Sequence, residues 1–253
     1  MTDYIIVLLG GFFAGAINSL AGYGSIITLT ILMDIVGLSP NVANGTNRVN
    51  VMANAFAGSL GYYRQGKMRL NRVWLIVFLV LIGAITGVYV ATIISNEGFR
   101  NLYRVLIFLL AILILTKPKN WLIKESSQEK LNLWIAFPVF VSIGFYAGLI
   151  QAGSGLFMLA ALVLLAKKEL LEANAIKMFI ILFYSVIVIA MFHYKGLIDW
   201  KAGAILAVAQ AAGSYLTATY ASRLPNANLW AYRLLIIIIL VIIVREGWML
   251  LGF

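Results

Sequence analysis

Two glycine-broken stretches hold the residues best suited to chemistry: Asn18-Ser19-Leu20-Ala21-Gly22-Tyr23-Gly24-Ser25 and Gln151-Ala152-Gly153-Ser154-Gly155. Each ends one apolar run and begins a short one, so a helix C-terminus and a helix N-terminus are expected side by side. An N-terminus offers free N–H groups and the positive end of the helix dipole, which together suit an anion. The glycines would let the backbone approach a ligand. The hydroxyls of Ser25 and Ser154 and the amides of Asn18 and Gln151 would complete its shell. The chemistry expected is therefore anion binding by backbone amides after Gly22, Gly24, Gly153 and Gly155. The plainer alternative is that these glycines only permit tight turns and close helix packing, as Gly11-xxx-Gly15, Gly83-xxx-Gly87 and Gly144-xxx-Gly148 are expected to do.

A second constellation opens a later apolar run: Asn44-Gly45-Thr46-Asn47-Arg48-Val49-Asn50, then Asn54, answered by Asn174-Ala175-Ile176-Lys177. Amides and a cation inside an apolar span are costly, so their presence asks for a reason. Arg48 and Lys177 either pair with an anionic substrate or snorkel to the interface. Asn47 is a further candidate donor, whereas Asn50 and Asn54 read as hydrogen-bonding glue between helices. Asp34 and His193 read as interfacial residues rather than proton carriers. No nucleotide loop, nucleophile elbow, HExxH or paired-carboxylate pattern is present, so the chain reads as no enzyme and needs no cofactor. It has no cysteine and one histidine, which excludes disulfides and thiolate metal sites and argues against a protein-only metal centre.

The elements that would position these groups are apolar throughout. Of 253 residues, 63% are hydrophobic and 11% charged, against roughly 45–50% and 25% in soluble domains. With a mean hydropathy of +0.99, only lipid can cover such a surface. Apolar runs fall at 4–21, 25–37, 42–61, 73–94, 101–116, 132–150, 155–166, 173–192, 202–221 and 229–250. The runs at 25–37 and 155–166 are too short to cross the hydrocarbon layer, which takes about 20 helical residues. They either lie tilted or turn back as re-entrant hairpins. The N-terminus lacks the basic region of a cleavable signal, so the first run is expected to stay as structure.

The short runs occupy equivalent places in an internal duplication. Gly11-Phe12-Phe13-Ala14-Gly15 echoes Gly144-Phe145-Tyr146-Ala147-Gly148, Ala21-Gly22-Tyr23-Gly24 echoes Ala152-Gly153-Ser154-Gly155, and Ala43-Asn44 echoes Ala173-Asn174. Gly66, Gly83 and Tyr103-Arg104 then match Gly196, Gly213 and Tyr232-Arg233 in order. Residues 1–116 form the first repeat, 117–131 a basic cytoplasmic linker, and 132–253 the second repeat. Five runs per half impose opposite orientations, so the fold class expected is an all-α polytopic membrane protein of two inverted repeats with short broken or re-entrant helices at the midplane.

Formal net charge is +10, which in a soluble chain would point to nucleic acid. Here the basic residues gather in alternate loops: Arg64, Lys67, Arg69 and Arg72; Lys117, Lys119, Lys124 and Lys130; Lys167 and Lys168; and Arg223. The opposite loops hold Arg100, Lys195 and Lys201. The bias assigns the richer set to the cytoplasm and both termini to the outside. The partners expected are the bilayer and a small anion, without nucleic acid; a homo-oligomer is compatible with the sequence.

The two broken motifs, with Ala43-Asn44-Gly45-Thr46-Asn47-Arg48 between them and the basic turn Tyr63-Arg64-Gln65-Gly66-Lys67, resemble the sulfite exporter TauE/SafE family along essentially the whole chain. The resemblance implies a multi-pass transporter of the bacterial inner membrane, with inverted halves, that exports sulfite, sulfonates or related small anions. The expected function is alternating-access export of a small sulfur oxyanion, sulfite first. Transport of another sulfonate or carboxylate, and an anion channel of the same fold, are the alternatives. Many family members carry a run of glycines where Ala21-Gly22-Tyr23-Gly24-Ser25 stands. Tyr23 therefore adds a phenol that either donates to an oxyanion or narrows the pocket.

Overall fold

The computed structural model describes residues 2–70, 73–115 and 132–220. Among these every regular element is helical: α1 Thr2–Ala21, α2 Gly24–Thr30, α3 Pro40–Arg64, α4 Val73–Ile93, α5 Asn96–Leu115, α6 Leu133–Ile150, α7 Ser154–Leu164, α8 Leu170–Tyr194 and α9 Trp200–Tyr220. A π-helical turn, Ile31–Ile35, prolongs α2. The expected linker 117–131 and the last run, 229–250, lie outside the described residues.

Apolar runs predict these helices because uniform hydrophobicity leaves the backbone no partner but itself. Boundaries move where polar residues are helical. Helix α3 begins at Pro40, a favourable first-turn proline, and α5 starts at Asn96 because Ser95 Oγ accepts the Gly98 N–H at 3.0 Å. Helices α4, α6 and α8 are each long and apolar enough to cross a membrane unaided. Helix α3 is as long as α8 but far more polar, since Asn44, Asn47, Arg48, Asn50 and Asn54 all point inward and are fully buried. Such a helix tolerates its polar face only by packing it against other helices.

Two tight pairs organise the bundle: α1 runs along α9, and α4 along α6. Both depend on small residues. A Cβ on Gly15 would meet the Gln210 backbone and one on Gly213 the carbonyl of Phe12, while Gly83 and Gly144 abut the backbones of Val141 and Val80. Helix α3 packs on α9 of the first pair and on α8, which in turn packs on α4 of the second. One apolar cluster gathers α4, α6, α7 and α8 with the buried face of α3. Another joins α1 and α2 to Phe99, Tyr103 and Leu206. The outward faces carry large apolar side chains, among them Phe56, Phe78, Phe137 and Val208, as a lipid-facing surface does.

Candidate functional site

The two broken stretches meet at the centre of the molecule. Gly22 and Gly153 both adopt positive φ, 80° and 72°, each turning the chain from the end of one helix into the start of the next. Glycine suits that conformation because it lacks the Cβ that makes it costly. The turns fold α1 against α2 and α6 against α7 as hairpins, and the hairpin tips touch. A Cβ on Gly22 would lie 2.3 Å from the carbonyl carbon of Gly155, and one on Gly155 would lie 2.6 Å from Gly22 Cα. The tips abut equivalent positions on the two 25-residue helices: Asn18 Nδ2 donates to Asn54 Oδ1 at 3.0 Å on α3, and Tyr184 Oη on α8 donates to Gln151 Oε1 at 2.9 Å. Asn54 and Tyr184 each stand fourteen residues into their helix, near its middle.

The cations sit beside these tips. Arg48, 1% exposed, donates through Nη1 to the Ala147 carbonyl and to Gln151 Oε1 at 2.8 Å. Its Nη2 donates to the Gly148 carbonyl at 2.9 Å and to Asn44 Oδ1 at 3.0 Å, and its guanidinium lies 5.6 Å from the Phe192 ring. Lys177, fully buried, donates through Nζ to the carbonyls of Asn18 at 3.0 Å and Ser19 at 3.2 Å, and to Asn174 Oδ1 at 2.7 Å. Each cation thus caps the last turn of a helix from the opposite half of the chain, Arg48 that of α6 and Lys177 that of α1. Helix C-termini carry negative partial charge and unpaired carbonyls, so both contacts are favourable. An asparagine one turn earlier, Asn44 or Asn174, steadies each cation. Neither has a carboxylate within ion-pairing distance among the described residues; Lys168 and Glu172 pair elsewhere, at the start of α8.

Other expected residues fall as follows. Ser25 Oγ is buried without a partner, and Ser154 Oγ donates to the Gln151 carbonyl at 2.9 Å. Asn47 Oδ1 accepts from Thr28 Oγ1 at 2.6 Å, while its Nδ2 is buried and unpartnered. Arg48 Nε and Asn174 Nδ2 are likewise buried without partners. Tyr23 is buried in the apolar cluster that also holds Ile150, Ala152 and Leu156 beside the opposite half's break. The tip of α2 and the tip of α7 therefore sit among unsatisfied donors.

Three residues of the site were not singled out from sequence. Tyr184 orients Gln151, Tyr62 Oη donates to the Ser19 carbonyl at 3.2 Å, and Tyr146 Oη donates to the Ala152 carbonyl. A signal existed for Tyr184, since the internal repeat aligns it with Asn54. Asp34 and His193 lie away from the tips; His193 stacks edge-on against Trp200, with ring centroids 5.4 Å apart. No cluster of His, Cys, Asp or Glu among the described residues has the makings of a metal site.

A family model described as "Sulfite exporter TauE/SafE" matches residues 7–245. A "Probable membrane transporter protein" of Haemophilus influenzae is 30% identical over 215 residues, covering 84% of this chain and 83% of its own. "Probable membrane transporter protein ORF9" of a Sinorhizobium species is 26% identical, covering 85% of this chain and 82% of its own. "Probable membrane transporter protein YfcA" of Escherichia coli K12 is 24% identical, covering 87% and 78%. No solved structure matches the chain.

Proposed function

We propose that this chain, which belongs to the sulfite exporter TauE/SafE family of membrane transporters, exports a small sulfur oxyanion, sulfite first, by alternating access across the bacterial inner membrane. The observation that carries the reading is electrostatic. Two buried cations, Arg48 and Lys177, flank the touching hairpin tips, and neither pairs with a carboxylate among the described residues. The half-charges of the two helix C-termini they cap are offset by the half-charges of the adjoining N-termini. Two positive charges stay unbalanced at the centre of an apolar bundle. Burying them uncompensated costs several kcal/mol each, and a bound anion relieves that cost.

The unsatisfied donors supply its ligands: Ser25 Oγ, Asn47 Nδ2, Arg48 Nε and Asn174 Nδ2, with the amides after Gly22, Gly24 and Gly153. Tyr23, Ser154, Gly155, Asn18 and Gln151 would complete the anion's surroundings. The packing supports an inverted repeat, because its main helix contacts recur in the other half: α1 on α9 answers α6 on α4, and Arg48 on the end of α6 answers Lys177 on the end of α1. Hairpin tips level with the middles of α3 and α8 support re-entrant hairpins that enter from opposite faces and meet at mid-depth. Rocking one half about those tips would expose the anion to each side in turn.

The test is thermal stabilisation of detergent-purified protein by sulfite, sulfate, thiosulfate, small sulfonates and small carboxylates, repeated in Arg48→Ala, Lys177→Ala and Asn54→Ala. A ligand that binds only the folded state raises its stability by mass action. The expected result is a shift with sulfite that disappears in either cation variant and survives in Asn54→Ala. A shift with a carboxylate and none with a sulfur anion overturns the substrate. Equal shifts in all three variants remove the cations from the site.

A further inference from the structure

The seam between α3 and α9 is polar along its length, whereas its repeat equivalent is not. Asn50 lies within 3.1 Å of Gln210 Nε2, and a turn nearer the Arg64 end, level with the tips, Ser214 Oγ donates to the Asn54 carbonyl at 2.9 Å. The helices then close on Gly58 and Gly61, where a Cβ would come within 2.6 Å of Ser214 Oγ and 2.7 Å of Ala218 Cβ. Three buried polar atoms along this seam have no partner among the described residues: Gln210 Oε1, Gln65 Oε1 and Thr219 Oγ1. Buried polar groups cost stability unless something hydrogen-bonds them. A stripe of them along a single interface therefore calls for water or a polar passenger that occupies it in another conformation.

The seam ends in a latch. Arg64 donates to Tyr215 Oη with its guanidinium 5.6 Å from that ring, and Gln65 Nε2 donates to the carbonyls of Ala218 and Thr219. At the equivalent seam, between α4 and α8, the polar pairs become Val80 with Ile180 and Ala84 with Tyr184, and the glycines become Val188 and Met191. No side-chain hydrogen bond joins α4 to α8 among the described residues. The end that would correspond to the latch is instead a groove of about 360 Å³, lined by Tyr89, Thr92, Met191 and Lys195.

We propose that the α3/α9 seam is the route by which the small anion reaches the hairpin tips from the face bearing the Arg64–Arg72 loop, and that Arg64, Gln65 and Tyr215 form the gate that closes it. The inference rests on the transporter reading above and adds the path and the gate. Arg64 stands at the mouth, where a cation both attracts an anion and holds the latch. Asn54 and Ser214 are the contacts met at the inner end of the path, with Asn50 and Gln210 a turn beyond, all neutral and hence unable to trap the ion. The gate opens by parting α3 from α9, which leaves the apolar α4/α8 seam intact.

The chain contains no cysteine, so a single introduced thiol reports its own accessibility. Ser214→Cys and its repeat equivalent Ala84→Cys are labelled with a negatively charged methanethiosulfonate reagent in purified protein, without sulfite, then again with Arg64→Ala and Gln65→Ala added. Both positions are fully buried in the closed seam. The expected result is labelling about tenfold faster at residue 214 than at 84, and about fivefold faster again once the latch is removed, as the open population rises. If Ser214→Cys does not elute as a single species, the deeper pair Gln210→Cys and Val80→Cys replaces it. Equal rates at the two seams, or acceleration of residue 84 to the same degree as 214, overturn the proposal. Since no substrate enters the assay, it stands or falls apart from the choice of sulfite.

Discussion

Alanine at Gly22 tests the meeting of the hairpin tips, because the structure separates two costs that usually come together. Gly22 has φ +80° and no room: its Cβ would lie 2.3 Å from Gly155 C and 2.6 Å from Leu156 N. Gly37 has nearly the same φ, +78°, with nothing within 4 Å of the added atom. Gly155 has the collision, 2.6 Å to Gly22 Cα, without the positive φ. Gly37→Ala thus isolates backbone strain, about 1 kcal/mol. Gly155→Ala isolates the collision, about 1–3 kcal/mol when backbone must shift to admit a methyl group. Gly22→Ala carries both, about 2–4 kcal/mol. At roughly 2–4 °C per kcal/mol for a chain of this size, Gly37→Ala lowers the thermal midpoint by about 2–4 °C and Gly22→Ala by about 4–16 °C. The assay is intrinsic-fluorescence melting of the three detergent-purified variants beside the parent. Gly22→Ala melting together with Gly37→Ala, or Gly155→Ala melting with the parent, would refute the tip-to-tip packing.

Arg48→Lys keeps the charge but loses the fork that reaches Ala147, Gly148, Gln151 and Asn44 at once; it is expected to cost about 2–4 kcal/mol, measured by melting, and a loss below about 0.5 kcal/mol would count against the cap. Tyr184→Phe removes the donor that orients Gln151. It should lower stability by about 1 kcal/mol and weaken the sulfite-induced shift, whereas Tyr63→Phe, on an exposed surface, should leave both unchanged. Gly83→Leu drives a side chain into the α4/α6 contact, where a Cβ alone would lie 2.0 Å from the Val141 carbonyl; loss of the folded, monodisperse species on size exclusion is the expected outcome, and normal yield with an unchanged midpoint contradicts it.

The local features of the chain were legible before any helix was placed. Nine of the ten apolar runs coincide with helices, and the tenth lies outside the described residues. Both breaks fall at the glycines that signalled them, since a positive φ is a preference of single residues. The cations, too, were visible as anomalies, because Arg48 and Lys177 interrupt apolar runs. Their partners were not visible. Arg48 meets carbonyls 99 and 100 residues away, and Lys177 meets carbonyls 159 and 158 residues away. The backbone carbonyl of one residue is chemically like that of any other, so no residue type announces it as a ligand.

What the sequence determined by itself is whatever depends on short-range pattern: the membrane class, the spans, the duplicated breaks and the family to which the chain belongs. Hydropathy and glycine placement act over one or two helical turns and survive without knowledge of neighbours. Only the tertiary structure decided that each half's cation caps the other half's helix, that Gly22 rests on Gly155, and that Tyr62, Tyr146 and Tyr184 serve the tips. It also showed which helices the polar residues of α3 glue together: Asn54 bonds to Asn18 and to the Gly15 carbonyl of α1, and accepts from Ser214 of α9. Those relations arise from packing parts of the chain that lie far apart in sequence against each other, and a linear pattern of residue types contains no term for the distance between them.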